Sequence, residues 1–89
     1  MSEEQFFLYD EKESSDTRFV SFMGEAHRYD LALVKTSRYY GKTLVLDLQG
    51  NRFAIMGQDD VEEPGNIEHA FNLNEIEAEE LREFLRQAI

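Results

Sequence analysis

The chain has 89 residues, 42% of them hydrophobic, and a formal net charge of −10. This length gives room for one domain with one core, and the absence of cysteine excludes disulfides, cysteine-ligated zinc and thiol catalysis. The excess of acids disfavours nucleic acid and anionic membrane surfaces as partners.

The charge is unevenly distributed along the chain. Residues 1–16 hold six acids against Lys12, residues 17–58 have a net charge of +3, and residues 59–89 have a net charge of −8. The pattern predicts a mildly basic sheet between two acidic flanks. It fits solvated surface charge with intramolecular ion pairs, and it also fits a basic patch left open for an anion or an acidic partner.

The N-terminal segment 1–16 is acidic and predicted to be partly irregular. Its β-prone run, residues 5–9 (QFFLY), of which 6–9 are apolar, favours either an edge strand or aromatic side chains folded onto the core. The run is too short for a signal peptide, and no stretch approaches the ~20 apolar residues of a transmembrane helix. The sequence therefore predicts a cytoplasmic protein that does not insert into membranes.

Two strands follow, over residues 17–23 and 29–36, joined by a short loop into a hairpin. The second also fits helical spacing, but its large apolar residues alternate with others as in a strand, and no capping residue opens a helix there. The linker 37–41 has room for one helical turn. Gly41 within it is predicted to adopt a backbone conformation that other residues resist.

Residues 42–57 (KTLVLDLQGNRFAIMG) are the predicted centre of the fold, a β-hairpin that reverses at Gly50-Asn51 through a type II′ turn with Gly50 at positive φ. This turn pairs Leu48 with Phe53. One face then carries large apolar side chains that are predicted to lie under the C-terminal helix: Leu44, Leu46, Leu48, Phe53 and Ile55. The opposite face carries apolar groups that are predicted to stay uncovered: Ala32, Val34, Val45, Ala54 and Met56.

The last third of the chain is predicted to hold a turn, a strand and a helix. Asp59 is expected to cap a single turn that stops at Pro64-Gly65. Residues 67–73 alternate apolar and polar side chains and predict a strand with His69 on its apolar face. Asn74, followed three residues later by a glutamate, forms a capping-box arrangement that opens an amphipathic helix over residues 75–89.

Together these elements predict an α+β protein with a single domain over residues 1–89. Its antiparallel sheet has five to six strands, assigned to residues 17–73 with 5–9 as the sixth, and one C-terminal amphipathic helix packs on one face.

Few residues suggest catalysis or metal binding. His27 and Asp30 could pair as a base and an orienting carboxylate, but in a strand they point to opposite faces. Neither histidine has metal-ligand spacing, and the acidic run 59–63 lacks the alternating ligands and central glycine of an EF-hand loop. The sequence contains no phosphate-loop or nucleophile-elbow motif. It therefore predicts no catalytic residue, no metal site and no cofactor.

Residues 35–42 (KTSRYYGK) are the best candidate for a ligand site. Three cations, two tyrosines and two hydroxyls without an acid would suit a phosphate group or a stacked nucleotide base. The candidate binding residues are Lys35, Arg38, Tyr39, Tyr40 and Lys42. The alternative is that the tyrosines pack against the sheet edge while the cations meet the acidic flanks.

Four segments carry a family resemblance: RFVSFMGE (18–25), SRYYGK (37–42), LVLDLQGNRFAIMG (44–57) and EHAFNL (68–73). With the acidic helix after them, they resemble a family of small uncharacterised proteins, a domain of unknown function, from low-GC Gram-positive bacteria. The likeness covers nearly the whole chain from about residue 5. It implies a bacterial cytosolic protein, and it supplies no reaction and no binding residue.

Two functions are expected on these grounds. The first is a non-catalytic protein-interaction or regulatory module that uses the second sheet face or an edge strand, with self-association as one form, because a large exposed apolar patch marks a binding surface. The second is binding of a phosphate- or nucleotide-type ligand at residues 35–42. A third, catalysis by His27 or His69, has the least support.

Overall fold

The computed structural model describes residues 5–89 as a four-stranded antiparallel sheet with three helices on one face. The strands are β1 (Asp16–Met23), β2 (Arg28–Lys35), β3 (Thr43–Asp47) and β4 (Arg52–Met56), and the helices are α1 (Gln58–Glu62), α2 (Asn66–Phe71) and α3 (Glu75–Ala88). Each strand pairs with the one before it in the chain, so β1 and β4 are the edges of the sheet.

The sheet is smaller than the predicted five to six strands. Within residues 5–89 it has four. The predicted edge strand at residues 5–9 is wrong, as is the alternative that its aromatics fold onto the core, because this segment is irregular and its apolar side chains are exposed. The predicted strand over residues 67–73 is also wrong, since α2 occupies that part of the chain.

The α2 segment was ambiguous because its apolar spacing fits both periods. Ile67 and Phe71 lie four residues apart, and both are buried on one side of the helix. His69, expected on an apolar strand face, is exposed. Gly65 and Asn72 bound the helix in the left-handed region, with φ of 79° and 56°. A six-residue run is too short for periodicity to separate strand from helix, so tertiary packing decided.

The β3–β4 hairpin forms, but its turn is longer than predicted. Asp47 pairs with Arg52 and Leu46 with Phe53, which leaves a four-residue loop at 48–51. Positive φ occurs at Asn51 (57°) rather than at Gly50, whose N–H donates to Asp47 Oδ1 at 3.1 Å. This pairing differs from the predicted one by two residues, which leaves every side chain of the hairpin on its expected side.

The face that the helices cover is nevertheless the opposite of the predicted one. The β2–β3 register places Leu33 opposite Val45 and Ala32 opposite Leu46. The connection that sets it contains a 3₁₀ turn (Ser37–Tyr39) followed by left-handed residues, among them Gly41 as predicted, with φ of 88°. In the resulting register, Val45 lies on the same face of the sheet as the buried side chains of β2, and its leucine neighbours lie on the other face.

The core lies between the sheet and the helices. Its buried residues are Tyr29, Leu31, Leu33, Val45, Met56, Val61, Ile67, Phe71, Ala78, Leu81, Leu85 and Ala88. The helices supply most of the bulk, and the smaller Val45 and Ala54 of the sheet leave room for it. Close packing needs this match of large and small groups.

The helices are fixed by caps and by one arginine. Asn74 Oδ1 accepts the Glu77 N–H at 2.8 Å and Glu77 Oε1 accepts the Asn74 N–H at 3.1 Å, as the predicted capping box requires. Arg82 of α3 donates to the Val61 carbonyl of α1 at 3.0 Å and to Glu68 of α2 at 3.3 Å. None of the helices within residues 5–89 has the length and apolar character needed to cross a bilayer.

The cap of α1 differs from the prediction. Its N-cap is Gly57 rather than Asp59, and Asp60 Oδ2 accepts the Gly57 N–H at 2.8 Å. The acid that accepts a hydrogen bond at the start of α1 is therefore Asp60, the third residue of the helix. Sequence spacing alone did not distinguish Asp60 from the neighbouring Asp59.

Candidate functional site

The predicted anion site at residues 35–42 forms the connection between β2 and β3. Its Arg38 already has acidic partners from the N-terminal segment: the guanidinium lies 2.8 Å from Glu13 and 2.7 Å from Glu11. It also lies 5.4 Å from the ring centre of Tyr9. The hydrogen bond to Glu13 raises the pKa of Arg38. The structure thus gives this cation the intramolecular role that was the alternative to ligand binding.

Lys42 has a different acidic partner. Its Nζ lies 3.0 Å from Asp60 Oδ2 at the start of α1. The Gly57 N–H, and then Lys42, lower the pKa of the Asp60 carboxyl. The other predicted binding residues are Lys35, exposed at the end of β2, the half-buried Tyr39, and Tyr40, which is exposed. Arg38 and Lys42 therefore form ion pairs with acids from two different parts of the chain.

A second polar group lies where α3 crosses β2. The Tyr29 hydroxyl is 2.6 Å from Glu80 Oε1 and 2.9 Å from the Glu77 carbonyl oxygen. The other Glu80 oxygen accepts the Glu25 N–H at 2.8 Å. His27 Nδ1 lies 3.5 Å from a Glu77 carboxylate oxygen. These contacts attach the N-terminal half of α3 to the β1–β2 hairpin.

The electrostatics of this group suit a structural contact. Burial, and then the bond to Glu80, raise the pKa of the Tyr29 hydroxyl, which stays a proton donor at neutral pH. The same bond, with help from the Glu25 N–H, lowers the pKa of Glu80. A carboxylate serving as general base at neutral pH needs the opposite shift, toward the working pH. The geometry therefore indicates attachment of the helix rather than proton transfer.

Asp30, the predicted partner of His27, makes other contacts. Its carboxylate accepts a hydrogen bond from the Ser21 hydroxyl at 2.5 Å and lies 3.1 Å from Arg28 Nε. The Ser21 bond lowers the pKa of Asp30. His27 contacts the helix on the other side of the sheet, so the structure separates this pair as strand geometry predicts.

A groove of about 590 Å³ runs along the outer side of α3. Six glutamates contribute to its lining: Glu25, Glu68, Glu75, Glu79, Glu80 and Glu83. Arg82, which also lines the groove, pairs with Glu68 and Glu79. The remaining excess of negative charge disfavours an anionic ligand in this groove.

The open face of the sheet, meaning the side opposite the helices, is apolar. One cross-strand row contains Phe19, Ala32, Leu46 and Phe53, and the adjacent row contains Thr17, Val34, Leu44 and Ile55. On the edge strands, Phe19 is 75% exposed and Phe53 is 67% exposed. Met23, at the end of β1, follows the same alternation and is exposed, and so is Leu48 in the loop that follows β3.

The exposed apolar area of the open face is larger than a few scattered apolar side chains would give. Five exposed side chains present on the order of 500–600 Å², when about 200 Å² for each large side chain is multiplied by its exposed fraction: Phe19, Met23, Leu48, Phe53 and Ile55. That is at the upper end of the largest apolar patch on an ordinary monomer, which is roughly 300–600 Å² and commonly functional. The open face is therefore the best-supported candidate binding surface.

Sequence reasoning expected an apolar uncovered face but assigned three of its five residues wrongly. Ala32 and Val34 lie on the open face as predicted, whereas Val45, Ala54 and Met56 pack toward the helices. Within each strand the alternation was correct. The missing information was the register between β2 and β3, for which the sequence carries no local signal.

Comparison with known proteins gives a family. A protein-family model described as SAV0927-like matches residues 8–87, which include every strand and nearly all of α3. A search of curated proteins finds no match to this chain. Because the family model covers nearly the whole chain, the protein belongs to the SAV0927-like family, which is uncharacterised.

Proposed function

We propose that this protein is a non-catalytic interaction module and that the open face is its binding surface. The exposure of Phe19 and Phe53 on the two outer strands is the observation that supports it most directly. An antiparallel sheet with one solvated face normally alternates apolar with polar side chains. Here both faces carry large apolar groups, and only one is covered by the helices of the chain.

The energy available on this surface is sufficient for binding. At about 25 cal/mol per Å², covering 500–600 Å² of apolar area corresponds to about 12–15 kcal/mol before the costs of association. Those costs remove several kcal/mol or more, which leaves a specific but reversible complex as the expected outcome. A surface of this kind suits a regulatory protein contact.

The proposal includes a setting. A role in the bacterial cytoplasm is supported by the resemblance to proteins of low-GC Gram-positive bacteria, which four segments carry: residues 18–25, 37–42, 44–57 and 68–73. Because the chain has no cysteine, it forms no disulfides and needs no oxidising compartment.

Site-specific photo-crosslinking tests the binding surface. p-Benzoylphenylalanine replaces Phe53 in one sample and Ile76 in another, because both side chains are 67% exposed but Ile76 lies on α3. We expect protein adducts from position 53 and not from position 76. A third sample with the analogue at Phe19 probes the other edge of the same face. If positions 19 and 53 give no adduct, in cells or in purified protein, the open face is not a binding surface.

Phosphate or nucleotide binding at residues 35–42 is the second candidate. Tyr40 favours it, since its side chain is 95% exposed and a free ring can stack on a base. A ligand there has to displace Glu11 and Glu13 from Arg38. At a hundred times its Kd, a ligand stabilises a protein by about 2.7 kcal/mol, so a melting-temperature rise with phosphate or ADP that is lost in Arg38→Ala would support this candidate. The absence of any shift would remove it.

A further inference from the structure

We infer that the occupant of the open face is a second copy of this chain, packed sheet against sheet. The inference rests on the proposed function, because it requires the open face to be a binding surface. Three properties of the face support this occupant: its shape, its charge and its area.

The shape of the face allows a two-fold symmetric contact. The central row has bulky Phe19 and Phe53 on the edge strands, while Ala32 and Leu46 lie on the inner strands. A two-fold axis parallel to the strands places β2 of one copy over β3 of the other. The same axis places Phe19 opposite Phe53 at both rims, so the two aromatic side chains form the main contacts and Ala32, which is 4% exposed, contributes little. Reciprocal pairing of this kind is what an isologous dimer has.

The charge on the face permits the approach of a second copy. Among the open-face positions of the described strands, the charged side chains are Arg28 and Asp30, which pair with each other at 3.1 Å. Ser21 completes the Asp30 contact. A second copy therefore meets no unpaired charge in the centre of the interface, which is the condition that buried contacts need.

The acidic layers point away from each other in this arrangement. Residues 59–89, which form the three helices, have a net charge of −8. Two sheets packed face to face lie about 10 Å apart, and a helix layer on the outside of each puts the acidic layers roughly 30 Å apart. The Debye length in physiological salt is about 8 Å, so their repulsion is largely screened. Contact through the helices would instead bring the two acidic surfaces together.

The area is close to what a stable dimer needs. A standard interface buries about 800 Å² on each partner, and the exposed side chains of this face supply on the order of 500–600 Å² of it. Half-buried Val34, Leu44 and Leu46 and the surrounding backbone contribute the remainder.

Sedimentation equilibrium of the purified chain tests the inference. From about 1 µM to about 1 mM, the range in which weak and moderately tight dimers dissociate, we expect the mass to rise from that of the 10.4 kDa chain to twice that value. Phe53→Lys should weaken dimerisation by about tenfold or more, since it places an unpaired charge in the interface. Ile76→Lys adds the same charge at an equally exposed position on α3 and should leave the dimer intact.

Each outcome has a defined meaning. A wild-type mass that stays at 10.4 kDa throughout overturns the inference, and so does a dimer that Phe53→Lys leaves unchanged, because it uses another surface. Circular dichroism confirms that the variants fold, and Phe19→Lys on the opposite edge gives a second measurement if Phe53→Lys does not fold. Crosslinks from position 53 to a different protein, with a monomeric purified chain, would retain the binding surface and reject the second copy.

Discussion

The helix-covered face and the open face of the sheet are both apolar, and they differ in which elements lie over them. On the covered face Leu31 and Met56 are each 1% exposed, while Phe19 and Phe53 on the open face remain largely in solvent. On β3 the leucines point to the open side and the smaller Val45 to the helices. Side-chain size in a single strand therefore does not indicate which face is covered.

This difference separates stability from function. The covered face contains the hydrophobic core and the Tyr29 contact to α3, so substitutions there should lower the free energy of unfolding. No helix of the described residues 5–89 lies over the open face, so substitutions there should affect association while leaving the fold intact. Three measurements test this division and a fourth concerns Arg38, which lies outside both faces; they are given from the largest expected effect to the smallest.

Leu31→Ala should lower the free energy of unfolding by about 2–5 kcal/mol, because it opens a cavity in a packed core. Phe53→Ala on the open face should change the stability of the monomer by only about 0.5 kcal/mol or less. Urea denaturation at a protein concentration low enough to keep the chain monomeric measures both. Equal losses for the two variants would show that the open face also contributes to the core.

Tyr29→Phe should lower the free energy of unfolding by about 1–2 kcal/mol, since it removes the hydroxyl that bonds α3 while retaining the ring. Tyr40→Phe is the matched control, because the Tyr40 side chain is exposed and its hydroxyl should contribute nothing to stability. Thermal denaturation compares the two variants. A loss of the same size in Tyr40→Phe would argue against a specific role of the Tyr29 contact.

Low pH should remove a stabilising contact on each face of the sheet, through Glu80 on the covered face and Asp30 on the open face. The pKa values of Glu80 and Asp30 are lowered in the folded protein, by the bonds from Tyr29 and Ser21 respectively. Their stabilising contributions are therefore complete above the ordinary pKa of a glutamate or aspartate. They are lost as the pH falls through the lowered folded-state values. NMR titration of the carboxyl carbons should show Tyr29→Phe raising only the pKa of Glu80 and Ser21→Ala only that of Asp30.

If the two variants change both carboxyls equally, the two contacts are coupled through the sheet, and the assignment of each carboxyl to one face is wrong.

The smallest effect on stability is expected at Arg38, which lies outside both faces. Arg38→Ala removes the contacts to Glu11 and Glu13 and should leave the melting temperature unchanged, because exposed ion pairs contribute little. It should release the N-terminal segment, so chymotrypsin should cleave at residues 6–9 faster than in the wild type. Arg52→Ala, at an exposed position in β4, is the control and should not alter the cleavage rate.

The candidate surface was only partly predictable. The sequence indicated an apolar sheet face without a helix over it, and it placed Ala32 and Val34 there. It also indicated Arg38 and Lys42 as binding residues. The acidic partners of Arg38 lie in the N-terminal segment, 25 or more residues away in the chain, and that of Lys42 lies in α1, 18 residues away. Contacts at such separations leave no periodic trace in the sequence, which explains why a basic stretch without local acids resembled an anion site.

Local sequence determined the features that depend on local physics. The alternation of strands β1 and β2, the reversal near Gly50 and the capping box of Asn74 with Glu77 follow from steric and hydrogen-bonding preferences within a few residues. Tertiary structure decided the helical state of α2 and the side of the sheet that the helices cover. Both choices depend on how side chains from distant segments fill one volume, and a shift of one residue between β2 and β3 would exchange the two faces without altering any local pattern.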